Sequence, residues 1–183
     1  MEFIETALKS VFLIKARRYE DKRGFFSETF KKKTFMAMTG HQGQFVQDNF
    51  SYSKRKGTVR GLHYQSPPKA QGKLVRCTRG KILDVAVDAR KGSPTYGRHV
   101  CYELSFENGD QLWIPPGFLH GFSTLSDDSE VAYKCTEYYS PECDSAIIWN
   151  DPMLNIDWKI NGEAFLSNKD ASAQRFEDFI SPF

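Results

Sequence analysis

Short apolar-rich segments, separated by glycine or proline turns about every eight to twelve residues, run along most of this chain. This rhythm is typical of all-β sandwiches and barrels, in which tight turns join many short strands. The predicted strands are 11–17, 25–30, 44–50, 58–64, 73–79, 81–88, 99–106, 111–115, 120–125, 129–139 and 145–149. We therefore expect an all-β fold of the sandwich or jelly-roll type.

Helical periodicity is confined to two short segments. Residues 31–40 predict one helix, which Gly40 closes. Residues 171–180 predict another, with Asp170 or Ser172 as its N-cap. The length of 183 residues suits a single domain, which we assign to residues 1–183.

Charge and hydropathy exclude several classes of partner. The chain has 25 basic and 23 acidic residues, a net charge of +2, so no overall field marks a nucleic-acid binder. A mean hydropathy of −0.53 predicts a soluble globular chain. No apolar run approaches the ~20 residues that a membrane helix needs. We expect neither nucleic acid nor a membrane as a partner.

The four cysteines indicate the compartment. Cys77, Cys101, Cys135 and Cys143 form no CxxC pair, and the N-terminal residues have no basic stretch leading into an apolar segment. Cysteines without a sign of export are typically reduced thiols. The sequence therefore predicts a cytoplasmic protein without a structural disulfide.

Two of the predicted strands mix polar and aromatic side chains on the same face. Segment 44–50 has no cleanly apolar face, because Gln47 and Asn49 alternate with Asp48. In segment 129–139, one face carries Val131, Tyr133, Cys135, Glu137 and Tyr139. Small β-barrels with polar interiors generally hold a ligand, so we expect a ligand inside this barrel.

The segment from residue 57 to residue 73 contains Arg60, His63 and Lys73. A histidine can abstract a proton near neutral pH, a lysine can hold a developing oxyanion, and an arginine can grip a phosphate. The alternative is that His63 is a structural, hydrogen-bonded residue. Strict alternation places Arg60 and His63 on opposite faces, and a β-bulge at Gly61 would bring them together.

The segment from Gly109 to Phe122 resembles the second motif of cupin barrels: Gly, five residues, Pro-x-Gly, two residues, His. The motif fixes a hairpin that aims His120 into the barrel, and the match ends at Thr124, where Asn is usual. The first cupin motif, a His-x-His pair followed by a glutamate, is degraded. Here His63 is followed by Tyr and Gln, and Lys73 lies in the region expected to supply the carboxylate. The residues therefore predict a cupin barrel without a metal site.

Nine segments together resemble the dTDP-4-dehydrorhamnose 3,5-epimerase family over nearly the whole chain. They are 23–30, 45–51, 59–65, 70–90, 93–97, 112–126, 133–141, 147–152 and 166–170. The resemblance implies a cupin-type jelly roll, a dTDP-linked 4-keto-6-deoxy sugar as substrate, and a homodimer. The implied reaction inverts carbons next to a ketone, which requires a base, an acid and a cation but neither a metal nor a redox cofactor.

The resemblance also implies roles for particular residues. His63 would be the general base, oriented by Asp170, with Lys73 stabilising the enolate oxygen and Tyr133 acting as the general acid. Tyr139 would stack on thymine, and Asp144 stands where the family often has Glu. The implied substrate-binding residues are Arg23, Glu28, Gln47, Asn49, Arg60, Lys73, His120, Tyr139, Asp144 and Lys169.

Other readings of these residues stay open at this stage. Judged alone, Asp170 would be the cap of the 171–180 helix and Tyr133 a core ring, while His41 and His99 match nothing and are expected to be structural or exposed. Alternative functions are a single-site 3- or 5-epimerase, a ketoisomerase of a dTDP-4-keto-6-deoxy sugar, and a non-catalytic sugar-nucleotide-binding cupin. Acid and base residues argue against the last, since binding alone does not require them.

Overall fold

The computed structural model describes residues 1–42 and 44–183. The strands are β1 Glu2–Glu5, β2 Phe12–Lys15, β3 Arg18–Asp21, β4 Gly24–Ser27, β5 Gln47–Ser53, β6 Val59–Gln65, β7 Lys73–Arg79, β8 Lys81–Asp88, β9 His99–Ser105, β10 Asp110–Ile114, β11 Phe118–Thr124, β12 Ser129–Cys135 and β13 Asp144–Ala146. The helices are α1 Lys32–Thr39, α2 Asn168–Ala171 and a 3-10 turn at Phe176–Asp178.

Two antiparallel sheets form a jelly-roll barrel. One sheet has six strands in the order β1-β2-β10-β7-β12-β5, and the other has five in the order β13-β6-β11-β8-β9. A core cluster between them joins Val75, Leu112 and Val131 of the first sheet to Leu104 and Phe122 of the second. The predicted all-β architecture with short helices is thus confirmed.

The C-terminal segment covers the outer face of the five-stranded sheet. Its buried rings Trp158, Phe176 and Phe179 pack in one cluster with Leu62 and Val85 of that sheet. Because β8 is covered on both faces, it reads as a nearly continuous apolar run in the sequence. Each large side chain buried in this way contributes roughly 1.5–3 kcal/mol. The segment thereby brings α2 against β6.

Helix α1 covers the outer face of the six-stranded sheet. Phe35 is buried against Trp113, with ring centroids 4.9 Å apart and planes at 85°. Gly40 ends the helix at φ 70°, where a residue without a Cβ is favoured. The helix predicted over 31–40 is confirmed.

The helix predicted over 171–180 is wrong. The helix present, α2, is one turn that begins earlier; the Ser167 side chain accepts from the backbone of Asp170, so neither Asp170 nor Ser172 is the N-cap. Beyond it, the Ile148 N–H donates to the Gln174 carbonyl at 2.8 Å, in an extended stretch. This pairing with the segment after β13 outweighs the local helical pattern, so the chain is helical again only in the short 3-10 turn.

The predicted strands 73–79 and 81–88 coincide with β7 and β8. Strand β12 ends at Cys135 rather than at Tyr139, and two short strands, β1 and β3, were not predicted. β1 lies at a sheet edge and β3 in a charged hairpin, so neither carries a clear alternating pattern. All four cysteines are free thiols. Within the described residues, no helix combines the length and hydropathy needed to cross a membrane.

Candidate active site

Polar side chains from both sheets face the barrel interior. Lys73 lies on the same face of β7 as the core residues Val75 and Cys77, and Tyr133 lies on the same face of β12 as Val131. Asn49 is the cross-strand partner of Tyr133 and therefore shares its face. The predicted ligand-holding face is thus built from β5, β7 and β12.

A β-bulge places Arg60 and His63 on one face of β6. His63 pairs with His120 and Arg60 pairs with Phe122, so two residues of β6 oppose the single residue Gly121. Gly61 has φ 127°, and a Cβ there would lie 2.6 Å from the Cα of Gly121. A glycine is therefore required, and the predicted bulge is confirmed.

His63 and Asp170 form a hydrogen-bonded pair at the edge of the interior. Nε2 of His63 lies 2.5 Å from Oδ1 of Asp170, whose side chain is 4% exposed. Burial disfavours the Asp170 carboxylate, but hydrogen bonding and attraction to His63 outweigh it and hold the pKa of Asp170 below its ordinary value. The carboxylate therefore stays ionised and orients the imidazole.

Burial acts in opposite directions on the two other predicted catalytic groups. Burial lowers the pKa of Lys73. Charge interactions with Cys135, Asp144 and Asp84 act in the other direction and raise it, but they do not outweigh burial. Burial raises the pKa of Tyr133, so the phenol keeps its proton near neutral pH. A protonated phenol suits proton donation, and a buried lysine suits enolate stabilisation where it keeps its charge.

Three predicted binding residues meet at one rim. The Tyr139 hydroxyl donates to Oδ2 of Asp144 at 3.1 Å, and the Lys169 ammonium forms an ion pair with the same oxygen. The Tyr139 backbone N–H donates to Oε1 of Gln47 at 2.9 Å, which ties this rim to β5. A cavity of about 440 Å³ opens beside Asp144 and Lys169.

Arg60 and His120, two further predicted binding residues, form hydrogen bonds with neighbouring protein groups. Nε of Arg60 donates to the Ser53 hydroxyl at 3.2 Å, and a second guanidinium nitrogen donates to the Tyr52 carbonyl. Nε2 of His120 lies 2.8 Å from Oδ1 of Asp84. Protein hydrogen bonds thus orient both the Arg60 and the His120 side chains.

Two predicted binding residues do not meet the others within the chain. Arg23 is an exposed hairpin residue between β3 and β4, paired with Asp21 at 2.5 Å. Glu28 follows the same hairpin and lies 3.8 Å from Lys31. Neither contacts the interior groups of its own barrel among the described ion pairs and hydrogen bonds.

Asp84 was missed by the sequence reasoning. Its signal was a lone acid inside the apolar run 82–87, which is otherwise buried on both faces. The two unassigned histidines are half-buried, and burial lowers the pKa of both His41 and His99. The His41 ring packs against Trp113 with centroids 4.9 Å apart.

Among residues 1–42 and 44–183, no group of three or more His, Cys, Asp or Glu side chains is arranged to hold an ion. Lys73 lies in the region where metal-binding cupins supply a carboxylate ligand, and a lysine ammonium would repel a metal ion.

A jelly-roll barrel whose interior carries a His–Asp pair, a buried lysine and a protonated tyrosine defines a cupin-type isomerase. The family model described as dTDP-4-dehydrorhamnose 3,5-epimerase matches residues 5–178. The chain is 48% identical over 178 residues to dTDP-4-dehydrorhamnose 3,5-epimerase of Shigella flexneri, covering 97% of each chain. The chain belongs to the dTDP-4-dehydrorhamnose 3,5-epimerase family.

Solved structures agree with this assignment. The dTDP-6-deoxy-D-glucose-3,5-epimerase of Legionella pneumophila, in complex with dTDP-4-keto-L-rhamnose, superposes with a TM-score of 0.94 at 47% identity, covering 98% of this chain and 94% of that one. A 3′-monoepimerase from Streptomyces bikiniensis, in complex with dTDP-quinovose, superposes with a TM-score of 0.88 at 32% identity, covering 93% and 86%. The cupin-type fold predicted from the motifs is confirmed.

Proposed function

We propose that this chain inverts C3 and C5 of dTDP-4-dehydro-6-deoxyglucose and so forms dTDP-4-dehydrorhamnose. The observation that carries the proposal is the His63–Asp170 pair, at 2.5 Å, on the barrel wall that also presents Arg60. Full-length membership of the epimerase family supports the same reaction. No metal and no redox cofactor enters the proposed chemistry.

The first step is removal of a proton next to the ketone. The ionised Asp170 accepts from Nε2–H of His63, which leaves Nδ1 of the neutral ring with the free electron pair. The C–H bond breaks, the proton goes to His63, and the electron pair moves to the carbonyl oxygen. The Lys73 ammonium stabilises the resulting enolate.

The second step delivers a proton to the opposite face of the same carbon. Burial keeps the Tyr133 hydroxyl protonated, and its O–H bond breaks as the new C–H bond forms. His63 then loses its proton and Tyr133 regains one through exchange with water, which restores the starting state. The same cycle at the second carbon completes the double inversion.

The nucleotide part of the substrate lies at the rim in this proposal. Arg60 contacts the diphosphate, Tyr139 stacks on thymine, and Asp144, itself paired with Lys169, accepts a hydrogen bond from the Tyr139 hydroxyl. Tyr139 is 57% exposed, which leaves its ring face available to a base. The other proposed contacts to the sugar nucleotide come from Gln47, Asn49, Lys73 and His120.

We also propose that the protein is a homodimer. The β3–β4 hairpin exposes Tyr19, Phe25 and Phe26, and an exposed group of rings is typical of an interface. Arg23 and Glu28 lie on or beside this hairpin, so their proposed substrate contact requires a site other than that of their own barrel. Light scattering should give twice the chain mass of 21.0 kDa, and Phe26→Ser should shift the protein toward monomer. A monomeric wild type would contradict the dimer.

Solvent deuterium wash-in tests the reaction against its alternatives. Incubation of dTDP-4-keto-6-deoxyglucose with the protein in deuterated water should label both C3 and C5. Labelling of one carbon indicates a single-site epimerase, which the fold also supports, since the Streptomyces bikiniensis neighbour is a 3′-monoepimerase. A shifted keto group indicates a ketoisomerase, and no label at all indicates a binding protein. For location we propose the cytoplasm, which suits the four free thiols.

A further inference from the structure

A buried carboxylate that the proposed reaction does not use lies inside the barrel. Asp84 is fully buried on β8, between the core residues Ile82 and Ala86 on the same face. Its Oδ1 lies 2.8 Å from Nε2 of His120. Its Oδ2 is also buried and has no hydrogen-bond partner among residues 1–42 and 44–183.

An ionised carboxylate loses its hydration on burial, which destabilises the folded protein unless nearby cations stabilise the charge. Burial raises the pKa of Asp84, and attraction to His120 and Lys73 opposes this effect. The same interaction acts on the lysine, where Asp84 opposes the effect of burial on the ammonium. Asp84 and Lys73 thus stabilise each other's charge.

The other two groups that interact with the Lys73 charge are poor counter-ions. The Cys135 thiol has its pKa raised to about 11 by burial, so it is neutral near pH 7. Asp144 is already engaged by Lys169 and by the Tyr139 hydroxyl at the rim. Asp84, with one oxygen that has no hydrogen-bond partner among the described residues, is the carboxyl group left to balance the charge of Lys73.

We propose that Asp84 is a positioning residue whose ionised carboxylate keeps Lys73 in its ammonium form and fixes the orientation of the His120 ring toward the sugar. This inference rests on the proposed function, in which Lys73 stabilises the enolate. It explains why the barrel keeps a charged residue in the middle of an apolar strand. Asp84 acts through Lys73 and His120 and contacts no reacting atom.

The test is Asp84→Asn, which keeps the shape of the side chain and removes its charge. Without the anion the pKa of Lys73 falls, so the ammonium is lost at lower pH and the alkaline limb of kcat moves to lower pH. We expect kcat to fall roughly 10- to 100-fold near neutral pH, with KM changed by less than about threefold. The titratable groups that interact with Asp84 or Lys73 are His120, Cys77, Cys101, Cys135 and Asp144.

Two further variants separate charge from folding. Asp84→Glu restores the charge and should return the alkaline limb toward its wild-type position. Asp88→Asn alters an equally buried carboxylate on the same strand, which is bound by Arg90 and not by Lys73. Asp88→Asn should lower the melting temperature and leave the alkaline limb of the kcat profile at its wild-type pH. A lower kcat in Asp84→Asn with an unmoved limb would reduce Asp84 to a structural residue and overturn the proposal.

An NMR titration of Lys73 tests the proposal without requiring catalytic turnover. In protein labelled with ¹³Cε-lysine, the Lys73 resonance is identified by its loss in Lys73→Arg, and its titration reports the charge directly. We expect an ammonium at pH 7 in the wild type and an earlier titration in Asp84→Asn. A wild-type Lys73 that is an amine at pH 7 overturns the proposal even if Asp84→Asn does not fold. Failure of the proposed epimerase reaction leaves this titration readable, so the two failures are distinguishable.

Discussion

His63 and Asp170 are 107 residues apart in the chain, yet Nε2 of the imidazole lies 2.5 Å from the carboxylate. The contact joins β6 to α2, and the C-terminal segment that carries α2 is fixed by burial of Trp158, Phe176 and Phe179 against the five-stranded sheet. Packing outside the barrel therefore sets the orientation of the proposed base inside it.

His63→Ala should nearly abolish turnover while affinity for the nucleotide changes little. Loss of a positioned general base commonly costs ~10²–10⁴ in rate, and the proposed diphosphate and thymine contacts are made by other residues. Steady-state kinetics and calorimetric titration with dTDP measure the two quantities. His99→Ala, which alters a half-buried histidine on β9, is the matched control. A near-native rate in His63→Ala would make His63 a structural residue.

Asp170→Asn should slow the reaction by about a hundredfold or more, because the amide cannot stabilise the protonated imidazole. The KM should stay close to that of the wild type, since Asp170 contacts His63 rather than substrate in the proposed mechanism. Asp178→Asn, at an acid in the nearby 3-10 turn, serves as control. Equal kcat values for wild type and Asp170→Asn would show that the pair at 2.5 Å does not contribute to proton transfer.

Tyr133→Phe should uncouple hydrogen exchange from inversion. The phenylalanine keeps the ring but removes the proton donor, while His63 and Lys73 still form the enolate. The protonated His63 can return a solvent-derived hydrogen to the original face, so deuterium enters without a change in configuration. NMR of the sugar in deuterated water should show label at C3 or C5 accumulating much faster than epimer. Inversion at the native rate would identify water or another residue as the acid.

Extensive chelator treatment should leave the rate unchanged. The reason lies in the chemistry of the barrel, where Gln65 and Lys73 stand at positions at which a metal-binding cupin carries ligands. Activity before and after dialysis against chelator, with metal content measured in parallel, checks this. A large loss that one divalent ion restores would contradict the metal-free reaction.

Asp88→Asn should destabilise the fold at neutral pH. Burial disfavours the Asp88 carboxylate, but hydrogen bonds from Arg90, Ser93 and Thr95 outweigh it and lower its pKa to about 2. Since the unfolded value is about 3.9, the carboxylate contributes about 2–3 kcal/mol above that pH. The contribution is lost as pH falls through about 2, so wild type and variant should converge in acid.

Urea unfolding at a series of pH values measures this difference for Asp88. Asp48→Asn, which removes an exposed pair with Lys134, should change stability by less than about 1 kcal/mol at any of them. A pH-independent effect of Asp88→Asn would show that its hydrogen bonds do not depend on the charge.

The sequence alone predicted those strands in which apolar and polar residues alternate or in which apolar residues follow one another without a break. β7 and β8 coincide with their predicted segments because the pattern of buried residues in a strand depends only on consecutive residues. The same local reasoning predicted a bulge at Gly61, since a glycine inside a strand marks one.

Helix 171–180 and the role of Asp84 lay outside such reasoning. Gln174 is extended because its carbonyl pairs with the distant Ile148, and local periodicity carries no record of that contact. Asp84 reads as an isolated acid until β11 places His120 beside it and β7 brings the charge of Lys73 into range. The fold class and the kinds of reactive group follow from the sequence, because burial period and side-chain chemistry are local. Which of those groups meet, and in which charge state, is decided by long-range packing, because both distance and desolvation exist only in the assembled barrel.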